Sequence, residues 1–501
     1  MNYKLIPYYI YIGVMMVLAS CNSHPTLPER YSDTKDMPAI YPDYTNVTIP
    51  CNIAPLNFMV KDAEECVAQF KWGSNTQTYG KGKNVQIPQK EWKEILQATK
   101  GGSIGVEVYT RNGNEWKRHK SFAINVAKEE IDPYISYRVI CPSYIAYEML
   151  SINQRCLSNF EEHVIYNNMM VSNEEVGQCI NCHSYQNYRT DNMQFHMRQG
   201  FGGTMIVSDG TPRKVDLKTA ETISAGVYPS WHPTLKLIAY STNLTGQSFH
   251  TKLANKIEVF DSRSDLILYD VERNQVSTIS AEENEMEVFP WWAPDGRTLY
   301  YASAHFVHND SVAEDADIVT RYDEIKYNIY RRTFHVEDYT FSEPELVYDA
   351  SAMGKSATLP RISPCGRYLL FTQGTYGCFH IWHPEADLYL MDLTTGNTRP
   401  LRRANSTKAE SYHSWSSNGR WILFSSRRHD SNYTRLYIAY MDEQGKDHKA
   451  FAVPQEDPMF YQHYMRSYNV PEFMVEPVKI TPQEFAAAAK KDAFKASYIK
   501  R

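Results

Sequence analysis

The sequence predicts a mainly β protein in three parts. These are an N-terminal β-sandwich-like domain, a short and mostly helical segment, and a long stretch of repeated sheets. Three observations predict it. Aromatic residues are 13% of 501, with 37 Tyr beside 25 Pro and 23 Gly, a composition of strands joined by many turns. Similar aromatic-rich stretches recur through the second half at intervals of about 50–70 residues, the mark of stacked sheet units. Between these regions, over residues 131–200, apolar alternation fades and Asn, Gln, Met and His become frequent. The length suggests about three domains. Lys+Arg 52 against Asp+Glu 58 gives a net charge of −6, which argues against a nucleic-acid binder, since such a protein needs a basic face. Past residue 21 no apolar run reaches the roughly 18 residues of a membrane span.

Residues 1–20 carry Lys4 and then an apolar run that ends in Leu18-Ala19-Ser20-Cys21. This resembles a bacterial lipoprotein signal, with a Cys directly after small residues. The resemblance implies cleavage before Cys21 and acylation of its sulfur, and buried acyl carbons then hold the protein to a membrane. Residues 21–40 are polar and contain Pro, and read as the lipidated tether. The expected location is the cell envelope outside the cytoplasm, at the outer membrane, where disulfides form.

Residues 41–130 are expected to form the β-sandwich-like domain. Ile104–Tyr109 and Ser121–Val126 read as strands, Arg111–Asn114 as a turn, and Glu91–Ala98 as one short helix. Trp92 and Trp116 are expected in the core.

Residues 131–201 hold the strongest chemical signal, Cys179-Ile180-Asn181-Cys182-His183. C-x-x-C-H reads as attachment of a covalent c-type haem. Cys179 and Cys182 would bond the two vinyl groups, and His183 would be the proximal iron ligand. About 0.005 such matches are expected by chance from 9 Cys and 16 His. A dithiol redox pair, a zinc knuckle and a structural disulfide are the competing readings. His196 is the candidate distal ligand, with Met193 and Met197 as alternatives and His163 weaker.

Residues 202–480 carry the repeat. Tyr228–Ser241, Phe289–Ser303, Leu359–Gln373 and Tyr412–Ser426 overlay, each with an aromatic or apolar start, a corner and an aromatic strand. One such sheet cannot bury both faces, so neighbours pack around an axis. These stretches resemble the TolB-like β-propeller family, best at Phe289–Ser303. Four blades are visible, and cryptic strands in 202–220 and 451–480 would make five or six. Residues 481–501 are expected to form a terminal helix. Several short stretches also resemble a family of extracytoplasmic lipoproteins that join a c-type haem segment to such a propeller. They are Tyr137-Arg138, Gln154-Arg155, Cys179–Tyr185, Phe195–Arg198, Gly202–Thr204 and Tyr228–Pro233.

Six further cysteines, Cys51, Cys66, Cys141, Cys156, Cys365 and Cys378, allow 51–66, 141–156 and 365–378 disulfides. His232, His305, His308, His413 and Asp295 are candidates for lining a propeller mouth. No nucleophile elbow, H-E-x-x-H or phosphate-cradling Gly loop is present, so no nucleotide cofactor is expected. The expected function is electron transfer by a membrane-anchored haem protein whose propeller docks a redox partner or envelope complex. The alternative is a scaffold or a ligand- or glycan-binding lipoprotein. A haem-dependent oxidoreductase or peroxidase is the enzymatic reading.

Overall fold

A computed structural model describes residues 24–141, 150–173, 175–250 and 255–501. The signal-like segment and Cys21 lie outside the described residues. No described helix is long and apolar enough to cross a membrane.

Residues 24–130 form a seven-stranded sheet, a three-stranded sheet and one helix, Gln89–Thr99. The helix buries Trp92, Ile95 and Leu96, and the Trp92 indole donates to the Ile53 carbonyl at 3.0 Å. Residues from 24 onward already dock on this domain. Ser32–Asp33 pairs with Lys117–Arg118, and the Thr78 hydroxyl donates to the Pro25 carbonyl.

Strands make up most of the described part of residues 131–201, and its only helical turns among the described residues are the 3₁₀ turns Asn168–Met170 and Gln199–Phe201. Tyr134–Ile140, Ser151–Cys156, Glu162–Asn167, Cys179–Gln186 and Arg189–Arg198 are all extended. The physical reason is burial on both faces. Arg189–Arg198 is buried at most of its positions, and a strand covered on both sides loses the two-residue alternation that would reveal it.

Among the described residues, six units built on four strands make the body of the protein, two of them joined in one ten-stranded sheet and another extended to five strands. Five follow chain order and start with the inner strands Cys179–Gln186, Val227–Trp231, Glu285–Trp292, Ser356–Ile362 and Glu410–Trp415. The sixth is assembled from two distant stretches. Ser467–Met474 supplies its inner strand and pairs with Tyr134–Ile140, which continues outward to Ser151–Cys156 and Glu162–Asn167. All six inner strands line one central cavity, so the sheets are blades of a propeller. The segment Cys179–Asp216 is therefore its first blade, and the propeller does not begin at residue 202.

The N-terminal domain shares one apolar core with the fifth and sixth blades, through Trp421, Ile438, Tyr137 and Tyr468. Polar ties reinforce it. The Trp421 indole donates to the Glu130 carbonyl at 3.0 Å, and Lys449 reaches Asp43 at 2.7 Å.

The expected terminal helix covers only Pro482–Ala489, closed at its start by a Thr481–Glu484 capping box. Beyond the charged Lys490-Lys491-Asp492, the chain becomes extended. Phe494–Lys495 and Ser497–Tyr498 pair in parallel with the outer strands of the first and second blades, covering edges that would otherwise be open.

Candidate functional site at the propeller mouth

The inner strands share one local device. In each, the ladder skips two residues: Cys182-His183, Tyr228-Pro229, Phe289-Pro290, Leu359-Pro360, Tyr412-His413 and Val470-Pro471. The first of each pair has φ between 48° and 58°, a left-handed conformation rare for side chains of this size. Such a bulge bends the strand and re-aims the residues that follow.

The residue immediately after each bulge faces the axis at one end of the ring. These residues are Ser184, Ser230, Trp291, Arg361, Ser414 and Glu472, and all six line a cavity of about 510 Å³. That volume lies within the roughly 300–1,000 Å³ of ligand pockets. Trp231, Trp292 and Trp415 follow in sequence and add to its wall.

The ring of six is not uniform. Three blades present serine. The other three present Trp291, Arg361 and Glu472, which engage one another. The Arg361 guanidinium lies 3.8 Å from the centre of the Trp291 ring and donates to the Glu472 carboxylate at 2.7 Å. Both charged side chains are largely buried, at 16% and 12% exposure. Burial pushes the Glu472 carboxyl above its usual range, and Arg361 opposes that shift. Among the described residues, Glu472 and Arg361 are the only charged ones on this lining.

Ser184, Trp291, Arg361 and Glu472 also border a second cavity of about 50 Å³, lined as well by Cys182 and His183. His183 is 1% exposed. Burial, with Arg138 nearby, holds its imidazole neutral down to about pH 3. The carbonyls of Ser136 and Val470 lie nearest the ring, but neither nitrogen makes a well-formed hydrogen bond.

The C-x-x-C-H residues do not fit a covalent haem in this arrangement. Attachment requires both sulfurs on one edge of a porphyrin. Here Cys179 packs against the apolar cluster beside the sixth blade, whereas Cys182 faces the central cavity. That cavity is several-fold smaller than a site for a molecule of drug size. The candidate distal ligands are also committed elsewhere. Met193 and Met197 lie with Phe195 and Phe485 in the same apolar cluster, an ordinary packing role. His196 is buried on the opposite strand, with Nδ1 3.2 Å from the Thr204 hydroxyl. Burial holds it neutral to about pH 3. His163 is on an outer strand of the sixth blade. Among the described residues no three His, Cys, Asp or Glu side chains gather as a metal site.

The other sequence candidates have structural roles. His232 Nδ1 accepts from the Thr234 and Leu235 amides, and its Nε2 donates to the Gly296 carbonyl. Asp295 accepts from the Arg297 and Thr298 amides in a tight turn. His413 bonds Thr372 and the Leu370 carbonyl. His305 pairs with Glu285, and His308 with Asp317.

Cys51, Cys66, Cys141, Cys156, Cys365 and Cys378 are all free thiols, so the expected disulfides are not formed. Their settings explain this. Cys51 donates to the Lys128 carbonyl while Cys66 is buried in a strand. Cys156 contacts the Ser158 hydroxyl. Cys365 is exposed in a turn, whereas Cys378 is buried, its thiol pushed up by desolvation.

Sequence reasoning missed Arg361 and Glu472, 111 residues apart. The signal was present in the repeat itself. Cys182-His183-Ser184-Tyr185 and Tyr412-His413-Ser414-Trp415 share His-Ser, and Val470-Pro471-Glu472-Phe473 follows the same plan.

No family model matches the chain, and no curated protein matches it. Among solved structures it is similar to TolB from Acinetobacter baumannii, at 13% identity over 77% of this chain and 85% of that one, with a TM-score of 0.41. It is also similar to an oligogalacturonate lyase in complex with manganese, at 12% identity over 68% and 86%, with a TM-score of 0.29. A DUF4784 family protein from Bacteroides caccae ATCC 43185 matches at 8% identity over 72% and 94%, with a TM-score of 0.30. The chain is a mainly β protein whose own sheets define a propeller.

Proposed function

We propose that this protein is a binding module of the cell envelope that holds a ligand in the mouth of its propeller and performs no redox chemistry. The observation that carries this reading is the 510 Å³ cavity to which every blade contributes the residue after its bulge. Its wall combines large aromatic side chains with a single Arg–Glu pair, the mixture of apolar surface and a few placed polar groups typical of ligand sites. The envelope location rests on the Leu18–Cys21 signal-like sequence. The N-terminal domain, joined to the fifth and sixth blades through a common core, acts as the rigid spacer between anchor and ring.

The test is retention of ligands from an envelope extract, read by native mass spectrometry. Trp291→Ser should release what the unaltered protein holds, and Trp116→Ser, outside the propeller, should not. Equal retention by both variants would overturn the mouth as the site. A second measurement addresses the C-x-x-C-H sequence. Produced in a host equipped for haem attachment, the protein should carry no covalent haem and no Soret band. A haem-sized mass increment would mean that Cys179–Gln186 leaves the first blade.

A further inference from the structure

The chain from His24 onward is fixed to the N-terminal domain, and this sets how near the domain lies to its anchor. The His24 ring meets the Tyr79 ring edge-on at 5.5 Å, with Nδ1 3.0 Å from the Thr78 carbonyl and Nε2 3.5 Å from the Glu91 carboxylate. The Thr78 hydroxyl donates to the Pro25 carbonyl. The chain therefore joins the domain between the edge strand Asn75–Tyr79 and the start of the helix Gln89–Thr99. Three residue steps separate Cys21 from His24. A fully extended chain covers at most about 3.6 Å per step, so the two residues lie within about 11 Å of each other. The headgroup layer of a bilayer is itself about 5–7 Å thick. With acyl chains on Cys21, the docked His24 emerges close to the headgroup surface, and the domain that holds it is kept there.

The protein surface beside His24 suits that neighbour. Lys81 and Lys83 follow Tyr79 by two and four residues, and Lys90 and Lys93 lie within one helical turn of Glu91. All four lysines are exposed. Two acids share the stretch from 81 to 94, and one of them, Glu91, is turned towards His24 and the Tyr79 hydroxyl. The result is a local excess of positive charge in a chain whose net charge is −6. Basic residues held beside a membrane are attracted to its anionic lipids. Resting on the reading of Cys21 as the lipid-bearing residue, we infer that the N-terminal domain sits directly on the bilayer, with Lys81, Lys83, Lys90 and Lys93 against anionic lipid headgroups. The stretch expected as a tether is thus no spacer, since only Asn22 and Ser23 stand between the anchor and the docked chain.

The test uses the full mature chain, acylated at Cys21 and reconstituted in vesicles of phosphatidylethanolamine and phosphatidylglycerol. A Cys21→Ser chain made without residues 1–20 is the reference in solution. Both are labelled briefly with an amine-acetylating reagent, and each lysine is read by mass spectrometry. Lys81, Lys83, Lys90 and Lys93 should label several-fold more slowly on the vesicles than in solution. Lys218 and Lys491, exposed outside this domain, should label equally in both. Vesicles of phosphatidylcholine alone should protect the four lysines less. Equal labelling of the four on anionic vesicles and in solution, with Cys21 acylated, would overturn the inference and leave the anchor standing. Equal protection by neutral and anionic vesicles would overturn the role given to the lysines. An unacylated Cys21, reported separately by the intact mass, would overturn the anchor and this inference together. None of these results bears on the mouth as the ligand site.

Discussion

The first and fifth blades carry nearly the same four residues at the same place, and use them differently. Cys182-His183-Ser184-Tyr185 and Tyr412-His413-Ser414-Trp415 each begin with a left-handed residue, followed by a buried neutral imidazole. In the fifth blade that imidazole bridges Thr372 and the Leu370 carbonyl, and the Trp415 indole donates to the Arg361 carbonyl at 3.2 Å. In the first blade the His183 ring instead lies against the carbonyls of Ser136 and Val470, and the Tyr185 hydroxyl lies beside the Ser136 side chain. Four other blades place proline where these two have histidine. A histidine at this position is therefore a blade residue first. The neighbouring Cys182 makes the first blade read as a haem site, although the backbone treats it as it treats Tyr228, Phe289, Leu359, Tyr412 and Val470.

The comparison is sharpened most strongly by Trp415→Ala. Trp415 is buried in the core of the fifth blade, so its truncation should cost about 3–5 kcal/mol, read as a lower urea midpoint. Tyr185→Ala in the first blade, at a partly exposed position, should cost clearly less. Equal losses would break the distinction between the two blades.

His413→Ala comes next. It leaves the Thr372 hydroxyl and the Leu370 carbonyl short of a partner, which should cost about 1–3 kcal/mol. Thermal melts against the parent measure it.

His183→Pro should be close to neutral. Tyr228-Pro229, Phe289-Pro290, Leu359-Pro360 and Val470-Pro471 show that this backbone accepts proline after a left-handed residue. A compatible proline stabilises by about 0.4–1 kcal/mol through the unfolded chain. A loss of several kcal/mol in the same melts would show that the His183 ring has a role that the blade repeat does not explain.

The smallest effect is a change of slope with pH. Burial lowers both imidazoles to about 3 from an ordinary 6.5. The unfolded chain therefore takes up protons first as pH falls below 6.5, and the stability present above that value is lost on the way to pH 3. His183→Pro should make this acid limb shallower than in the parent, as seen in melting temperatures between pH 6.5 and 4. Glu287 acts in the opposite direction. Burial raises its carboxyl to about 8, so the fold loses stability as pH rises from about 4.5 to 8, and Glu287→Gln should flatten that limb.

Four blades were legible in the sequence because Trp231, Trp292, Ile362 and Trp415 sit before recognisable corners. The first blade was hidden by its own residues: Cys179, Cys182 and His183 match a haem motif, and Asn, Gln and Met in strands buried on both faces mimic irregular structure. The sixth was hidden by topology. Its inner strand Ser467–Met474 pairs with Tyr134–Ile140, so no corner and hairpin follow Val470–Phe473. The six-membered ring at the mouth emerges only when all six strands share one register, and the pairing of Arg361 with Glu472 exists only across the assembled ring. The overall β character and the N-terminal helix near residues 91–98 needed no such long-range information.

The sixth sheet also sets the order in which the molecule can be completed during synthesis. Tyr134–Ile140 emerges early with an unpaired backbone edge, and its mate arrives only when almost the whole polypeptide has been made. Pairing over such a separation is slow, and a waiting edge invites the wrong neighbour. A chain built this way keeps one blade incomplete until residues 467–474 have been made, and any delay before then prolongs the exposure of that edge.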